Sequence, residues 1–241
     1  VANPTLKARP ELVSDGWRKR AGAFYTRPLA PGVAGLLGLA PNRGLPYQWR
    51  LQPFVGVIHE RVNQVAGALT DATAKSPYPQ ATIRQSLVGL LDGMDAQDRE
   101  RWVVATEAPD GNERVFRDVA AAVRDNGLSW MEERTSLDAV VRELRAGNGP
   151  VRLTPYLTAA LWLQGEVVAA EERLTEIAAQ FGGPALQVPE PVRDLRVASF
   201  ASSSPPEGWP RHAFDAFAAR LREGMQRYPQ CPPERWQPRT G

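Results

Sequence analysis

Along residues 48–52 polar and apolar positions alternate strictly. Trp49 and Leu51, with Tyr47 before them, fall on one face; Gln48, Arg50 and Gln52 fall on the other. Period two with one polar face predicts a strand in a sheet that helices cover on one side. The alternation then breaks. Val55 and Val57 continue one face, but Phe54 and Ile58 make the second face apolar as well. After His59 the spacing changes again, and Val62, Val65, Ala66 and Leu69 recur at i, i+3, i+4 and i+7, a helix stripe. His59 therefore marks a predicted strand-to-helix corner.

Upstream, "AGAFYTRPL" (21–29) is rich in β-formers and "GVAGLLGLA" (32–40) continues the strand pattern to the turn cluster "PNRGLP" (41–46). The simplest pairing is a hairpin of 21–40 with 47–58. Residues 81–91 and 101–106 read as further strands. From residue 110 the period becomes helical. Asp110 with Glu113, and Thr135 with Asp138, have capping-box spacing. The apolar "TPYLTAALWL" (154–163) reads as a buried helix. Val167, Ala170, Leu174, Ile177, Ala178 and Phe181 line another, stopped by "FGGP". "SFASSSPPEGWP" (199–210) reads as a loop, and Pro210 suits the first turn of a last helix carrying Phe214, Phe217, Ala218, Leu221 and Met225.

Strands first and helices afterwards predict an α+β fold, an antiparallel sheet from the N-terminal half with helices packed mainly on one face. The expectation is a single domain over 1–241: strand-rich 20–107, helix-rich 110–228, and a polar, proline-rich tail 229–241. A short junction at 107–112 is the one boundary considered.

Composition narrows the chemistry. With 241 residues, 43% hydrophobic and 23% charged, the balance is globular. No stretch approaches the roughly 18 apolar residues of a membrane span, and no signal-peptide pattern opens the chain, so the expected location is the cytoplasm. Net charge is +2, spread as +6 over residues 1–50 and −4 over the rest. Apart from "WRKR" the basic residues are dispersed, which argues against nucleic acid. Arginine outnumbers lysine 26 to 3, a bias that base composition in a GC-rich bacterium explains. The one cysteine, Cys231, has no histidine near it in sequence and reads as an ordinary thiol.

Most motifs of catalysis fail on inspection. "HERVN" begins like a zinc helix, but Asn63 stands where the second histidine is needed. "GVAGLLG" lacks the phosphate-binding spacing, so its glycines serve bulges or close packing. Asp92, Asp95 and Asp98 recur every third residue, where calcium loops need alternate ones. No G-x-S-x-G is present. Glu132/Glu133 and Glu171/Glu172 are neighbours about 100° apart on a helix and form no dyad by themselves. No metal and no cofactor is expected. His59 could be a general base by its ordinary pKa, or it could simply pack at the strand end.

The order of "GWRKRAGAFYTRPL", "GVAGLLGLA", "PFVGVIHERV", "ATIRQSLVGLL" and "RW" resembles an uncharacterised bacterial family of the domain-of-unknown-function type, over residues 16–105. The resemblance implies a small α+β protein, some of whose related families occur near toxin–immunity and contact-dependent systems. It carries no catalytic residues.

These readings converge on a non-enzymatic protein-binding module, immunity-like in covering a partner's surface. Its candidate patch is the polar sheet face of Gln48, Arg50 and Gln52, extended by Arg84 and Gln85 and flanked by Trp49 or Trp102. The alternative is an enzyme or small-ligand binder with a pocket near His59 and Arg61. A third reading makes "LTAALWL" an oligomer interface. The oligomeric state stays open.

Overall fold

The computed structural model describes residues 9–43, 48–70, 79–91, 102–105, 109–146, 154–180, 211–234 and 236. The fold is α+β, with antiparallel sheets in the N-terminal half and several helices. The chain divides into two compact units, Val1–Glu60 with Ser76–Gly149, and Arg61–Lys75 with Pro150–Gly241. The division is discontinuous in sequence and does not fall at 107–112.

In the first unit a short helix α1 (Pro10–Val13) precedes β1 (Arg18–Lys19), β2 (Phe24–Ala30) and β3 (Val33–Gly38). β2 and β3 form a hairpin closed by Pro31 and Gly32, with Ala30 opposite Val33. Gly32 takes φ +69, the left-handed conformation a turn after proline requires. Pro28 is tolerated in β2 because β1 pairs only with Tyr25 and Thr26, so the missing N–H at Pro28 deprives no ladder.

The expected pairing of 21–40 with 47–58 is present, with one difference. β4 (Pro41–Arg43) and β5 (Gln48–Leu51) continue the same ribbon as β3 and β6 (Phe54–His59). Val33 faces His59, Gly38 faces Phe54, Pro41 faces Leu51 and Arg43 faces Trp49, all in one register. Midway the ribbon bends. Ala40 adopts φ 42, a conformation that costs an L-residue roughly 1–2 kcal/mol, and Pro53 stands nearly opposite. The Gln52 N–H still donates to the Ala40 C=O at 3.2 Å, so the ladder survives the bend. The single sheet expected from the sequence is thus two among the described residues. One has the order β1-β2-β3-β6 with β7 (Ile83–Ser86) at its end; the other has the order β4-β5 with β8 (Val103–Ala105). Residues 81–91, read as one strand, stop being one after Ser86 and turn into a 3-10 segment, Val88–Leu90.

One face of the larger sheet carries Tyr25, Leu37, Val55 and Val57, all at 0% exposure. Helix α3 (Pro109–Ala122) continues through a π turn (Val123–Gly127) into α4 (Leu128–Glu132), and α5 (Leu137–Arg145) follows. The close approach to the sheet explains two glycines. A Cβ on Gly127 would stand 3.0 Å from Val55, and one on Gly35 would stand 3.1 Å from Met131 Sδ and 3.5 Å from Trp17. In "GVAGLLG", Gly35 therefore permits tight packing, as does Gly38, where a Cβ would stand 2.4 Å from the Phe54 ring, while Gly32 serves the turn. Full burial also pushes the Tyr25 hydroxyl up to about 12.

Two caps differ from expectation. α3 begins at Pro109, which places Asp110 inside the first turn. α5 is capped by Ser136, whose Oγ accepts from the Ala139 N–H at 3.2 Å. Thr135 instead donates to the Glu132 C=O at 3.0 Å. Adjacent Thr and Ser both have cap chemistry, and the extended backbone of Ser136 selects it.

In the second unit, α2 (Glu60–Thr70) buries Val62, Val65, Ala66 and Leu69, the predicted stripe. α6 (Thr154–Leu163) buries every residue from Leu157 to Trp162. The segment considered as an oligomer interface is therefore interior to the chain. α7 (Val167–Gln180) and α8 (Arg211–Arg227) bury Ala170, Leu174 and Ile177, and Phe214, Phe217, Ala218, Leu221 and Met225. Tyr47, Asp92, Asp95, Asp98, Phe181, the "FGGP" stop and residues 199–210 lie outside the described residues. Among the described residues no helix is long and apolar enough to cross a membrane.

Candidate functional site

β5 is the centre of the smaller sheet. Asn42 and Val103 stand opposite Arg50 on its two neighbours, and Ala105 stands opposite Gln48. Directly opposed residues share a face, so this face collects Asn42, Gln48, Arg50, Val103 and Ala105. Gln48, Arg50 and Gln52 are exposed; Asn42, Val103 and Ala105 are half-buried. The other face holds Leu51 and Val104, at 1% and 0% exposure, and half-buried Trp49. The predicted alternation therefore holds in β5.

The rim of this sheet is closed by a side chain. Asn112 in α3 donates to the Ala105 C=O at 2.6 Å and accepts from the Ala105 N–H at 2.9 Å. A carboxamide thus imitates a neighbouring strand at the end of β8 and blocks pairing with another chain there. Asn42, Val103 and Asn112 were not legible as a group, because β4, β8 and α3 are brought together only by long-range pairing.

The other candidates disperse. Arg84 is exposed, but it lies on β7 in the larger sheet, its guanidinium 5.6 Å from the Phe54 ring centroid. Gln85 is half-buried, and its strand neighbour Arg84 points to the opposite face. Trp102 is 1% exposed and donates from Nε1 to Asp118 Oδ2 at 2.7 Å; it is core and flanks no surface. Of the "WRKR" cluster only the tryptophan is core; Arg18 and Arg20 are exposed and Lys19 half-buried, with local contacts. Trp17 is buried, Arg20 Nε donates to Thr26 Oγ1 at 2.7 Å, and Lys19 Nζ donates to the Arg20 and Gly22 carbonyls.

His59 ends β6, and α2 starts at the next residue. Its backbone N–H donates to the Thr82 hydroxyl at 2.8 Å. Its ring is half-buried, and among the described residues Nδ1 is buried with no hydrogen-bond partner. Burial pushes its pKa below the ordinary 6.5, outweighing the upward pull of the exposed Glu60 carboxylate. A folded-state pKa below the unfolded one means that the unfolded chain binds more protons here. This contribution to stability is complete above about pH 6.5 and is lost as pH falls through the folded pKa. We expect His59→Gln to lose less stability than the parent between pH 7.5 and 5, measured by urea midpoints. Parallel losses would show that burial of His59 carries no such linkage.

Arg61 is committed elsewhere, to carbonyls of the C-terminal segment and to Gln64. Among the described residues no three of His, Cys, Asp and Glu cluster as metal ligands. A cavity of about 840 Å³ lies in the second unit between α7 and α8. It is an open groove lined by Val168, Glu171, Thr175, Arg222 and Met225. Glu171 and Arg222 bridge it with contacts of 2.5–3.1 Å, and Val168 on its wall is 73% exposed.

No family model, curated protein or solved structure matches this chain. The functional reading therefore rests on the geometry just described.

Proposed function

We propose that the chain is a non-enzymatic protein-binding module, immunity-like in that it acts by covering a partner's surface, and that the face of β5 is its contact. The observation that carries this reading is the exposure of Gln48 and Arg50 on a strand paired on both sides. Both side chains project from a backbone that is already fixed, so binding costs little ordering. Half-buried Val103 and Ala105 beside them supply apolar contact inside a polar rim, the usual anatomy of an interface. A cationic centre suits an acidic partner.

The small-ligand alternative has less support. It needs a cavity walled by His59 beside a buried carboxylate. The acidic group acting on His59 is the exposed Glu60, and the open groove of the second unit is lined by other residues.

The test is capture of a stoichiometric partner from lysate of the source cell, followed by affinity measurement with the purified pair. Arg50→Glu is expected to weaken the complex by about 2–3 kcal/mol, roughly 30- to 150-fold. An affinity unchanged by the substitution would remove the β5 face from the interface. A folded bait that captures nothing would count against the binding-module reading itself.

A further inference from the structure

The open groove of about 840 Å³ runs along the first turns of α7 and the last turns of α8. It lies away from Gln180 and Arg211, between which the chain passes from one helix to the other. Its apolar lining is Val167, Val168 and Met225. Among the described residues only Val13 and Val168 are large apolar side chains left exposed, at 47% and 73%. Three carboxylates, Glu171, Glu172 and Glu176, and one guanidinium, Arg222, surround this lining. Arg222 and Glu171 form a bridge in which each side chain is nearly half exposed. Glu176 accepts from Arg173 at 2.8 Å, with side-chain exposures of 61% and 36%. Glu172 is exposed and has no partner among the described residues.

The walls define what fits. Both are helices, whose backbone N–H and C=O groups are bonded within each helix, so they offer a guest side chains only. An extended segment would lose water from its own main chain and gain no partner for it. A helix brings its main chain already satisfied, and side-chain ridges of a third helix pack into the groove between two others. The apolar lining requires an apolar stripe on that helix, and the flexible thioether of Met225 adapts to its shape. The carboxylates require basic residues beside the stripe. The two existing bridges are solvent-exposed pairs of small net worth. An incoming cation therefore exchanges into them at little cost, and Glu172 is free to take one outright. An acidic helix would set like charges against three glutamates.

We propose that the α7–α8 groove is a docking site for a basic amphipathic helix of a partner protein. It shares no residue with the β5 face and does not rest on that reading.

The experiment uses full-length protein and a dye-labelled helical peptide, Leu-Lys-Lys-Leu-Leu-Lys-Lys repeated twice, read by fluorescence polarisation at physiological ionic strength. Glu172→Lys is expected to weaken binding roughly tenfold. Val168→Ser, which removes apolar area and no charge, is expected to weaken it about threefold. Arg222→Ala, which removes the groove's own cation and releases Glu171, is expected to tighten it about threefold. All three side chains are exposed, so urea midpoints should stay at the parent's value. Glu132→Lys and Arg142→Ala make the same changes of net charge at exposed positions of the first unit and are expected to leave affinity unchanged. If these controls shift affinity as much as their counterparts, overall charge attracts the peptide and the proposal fails. No binding by the parent, or equal binding of a peptide with glutamate in place of each lysine, also overturns it. So does a parent that sediments as a dimer and that Val168→Ser converts to a monomer, because a second copy would then occupy the groove.

Discussion

Trp162→Ala is expected to lower the unfolding free energy by about 3–5 kcal/mol, the range for removing a large buried aromatic ring. Trp162 is at 0% exposure. Its ring fills the space left by Gly224 in α8, where a Cβ would stand 2.4 Å from the indole, and it meets Trp236 edge-on. Its Nε1 also satisfies the Tyr228 C=O at 2.9 Å. Truncation therefore removes packing on two sides and leaves a carbonyl without its donor. Trp162→Phe keeps much of the apolar volume and isolates the lost N–H, so it should cost clearly less. Urea unfolding of parent and variants checks both, read as a shift in midpoint at constant slope. A loss below about 1 kcal/mol for the alanine variant would contradict the packing around Trp162.

The second large effect concerns a position with no side chain to lose. Gly56 lies in β6 between β3 and β7. A Cβ there would stand 2.7 Å from Ala81 Cβ and 2.8 Å from the Ile83 C=O. The carbonyl is backbone at the start of β7, so relief requires moving a strand and not merely rotating a side chain. We expect Gly56→Ala to cost about 1–3 kcal/mol through overpacking. Gly67 in α2 is the matched control, since a Cβ there meets nothing within 4 Å. Gly67→Ala should stabilise by up to about 1 kcal/mol, because alanine restricts the unfolded chain and favours helix. Thermal or urea melts of the two variants should thus move in opposite directions. If both moved the same way, local space would not be what decides the outcome at Gly56.

The corner at His59 shows how far local pattern reaches. The switch from period two to period 3.6 across residues 54–69 placed the end of β6 and the start of α2 at adjacent residues, as observed. Arg61, two residues later, gave no such local sign. Its partners are main-chain carbonyls about 170 residues away, and carbonyls leave no trace in sequence.

The pattern of polar and apolar positions by itself determined the α+β class, the faces of β5 and β6, the stripes of α2, α7 and α8, and the burial of α6. Each of these depends on which side of one element meets water, and period alone encodes that. Only the tertiary structure decided that the long ribbon of β3–β4 with β5–β6 bends between two sheets. The bend needs both arms at once, Ala40 at φ 42 on one and Pro53 on the other. Tertiary structure also separated Arg84 from Arg50, drew Trp102 into the core, and joined Asn42 and Val103 to Gln48 and Arg50. The physical reason is common to all of these. Register between strands and the approach of a distant helix are set by contacts whose partners lie far apart in the chain, so neither partner's neighbourhood records the other.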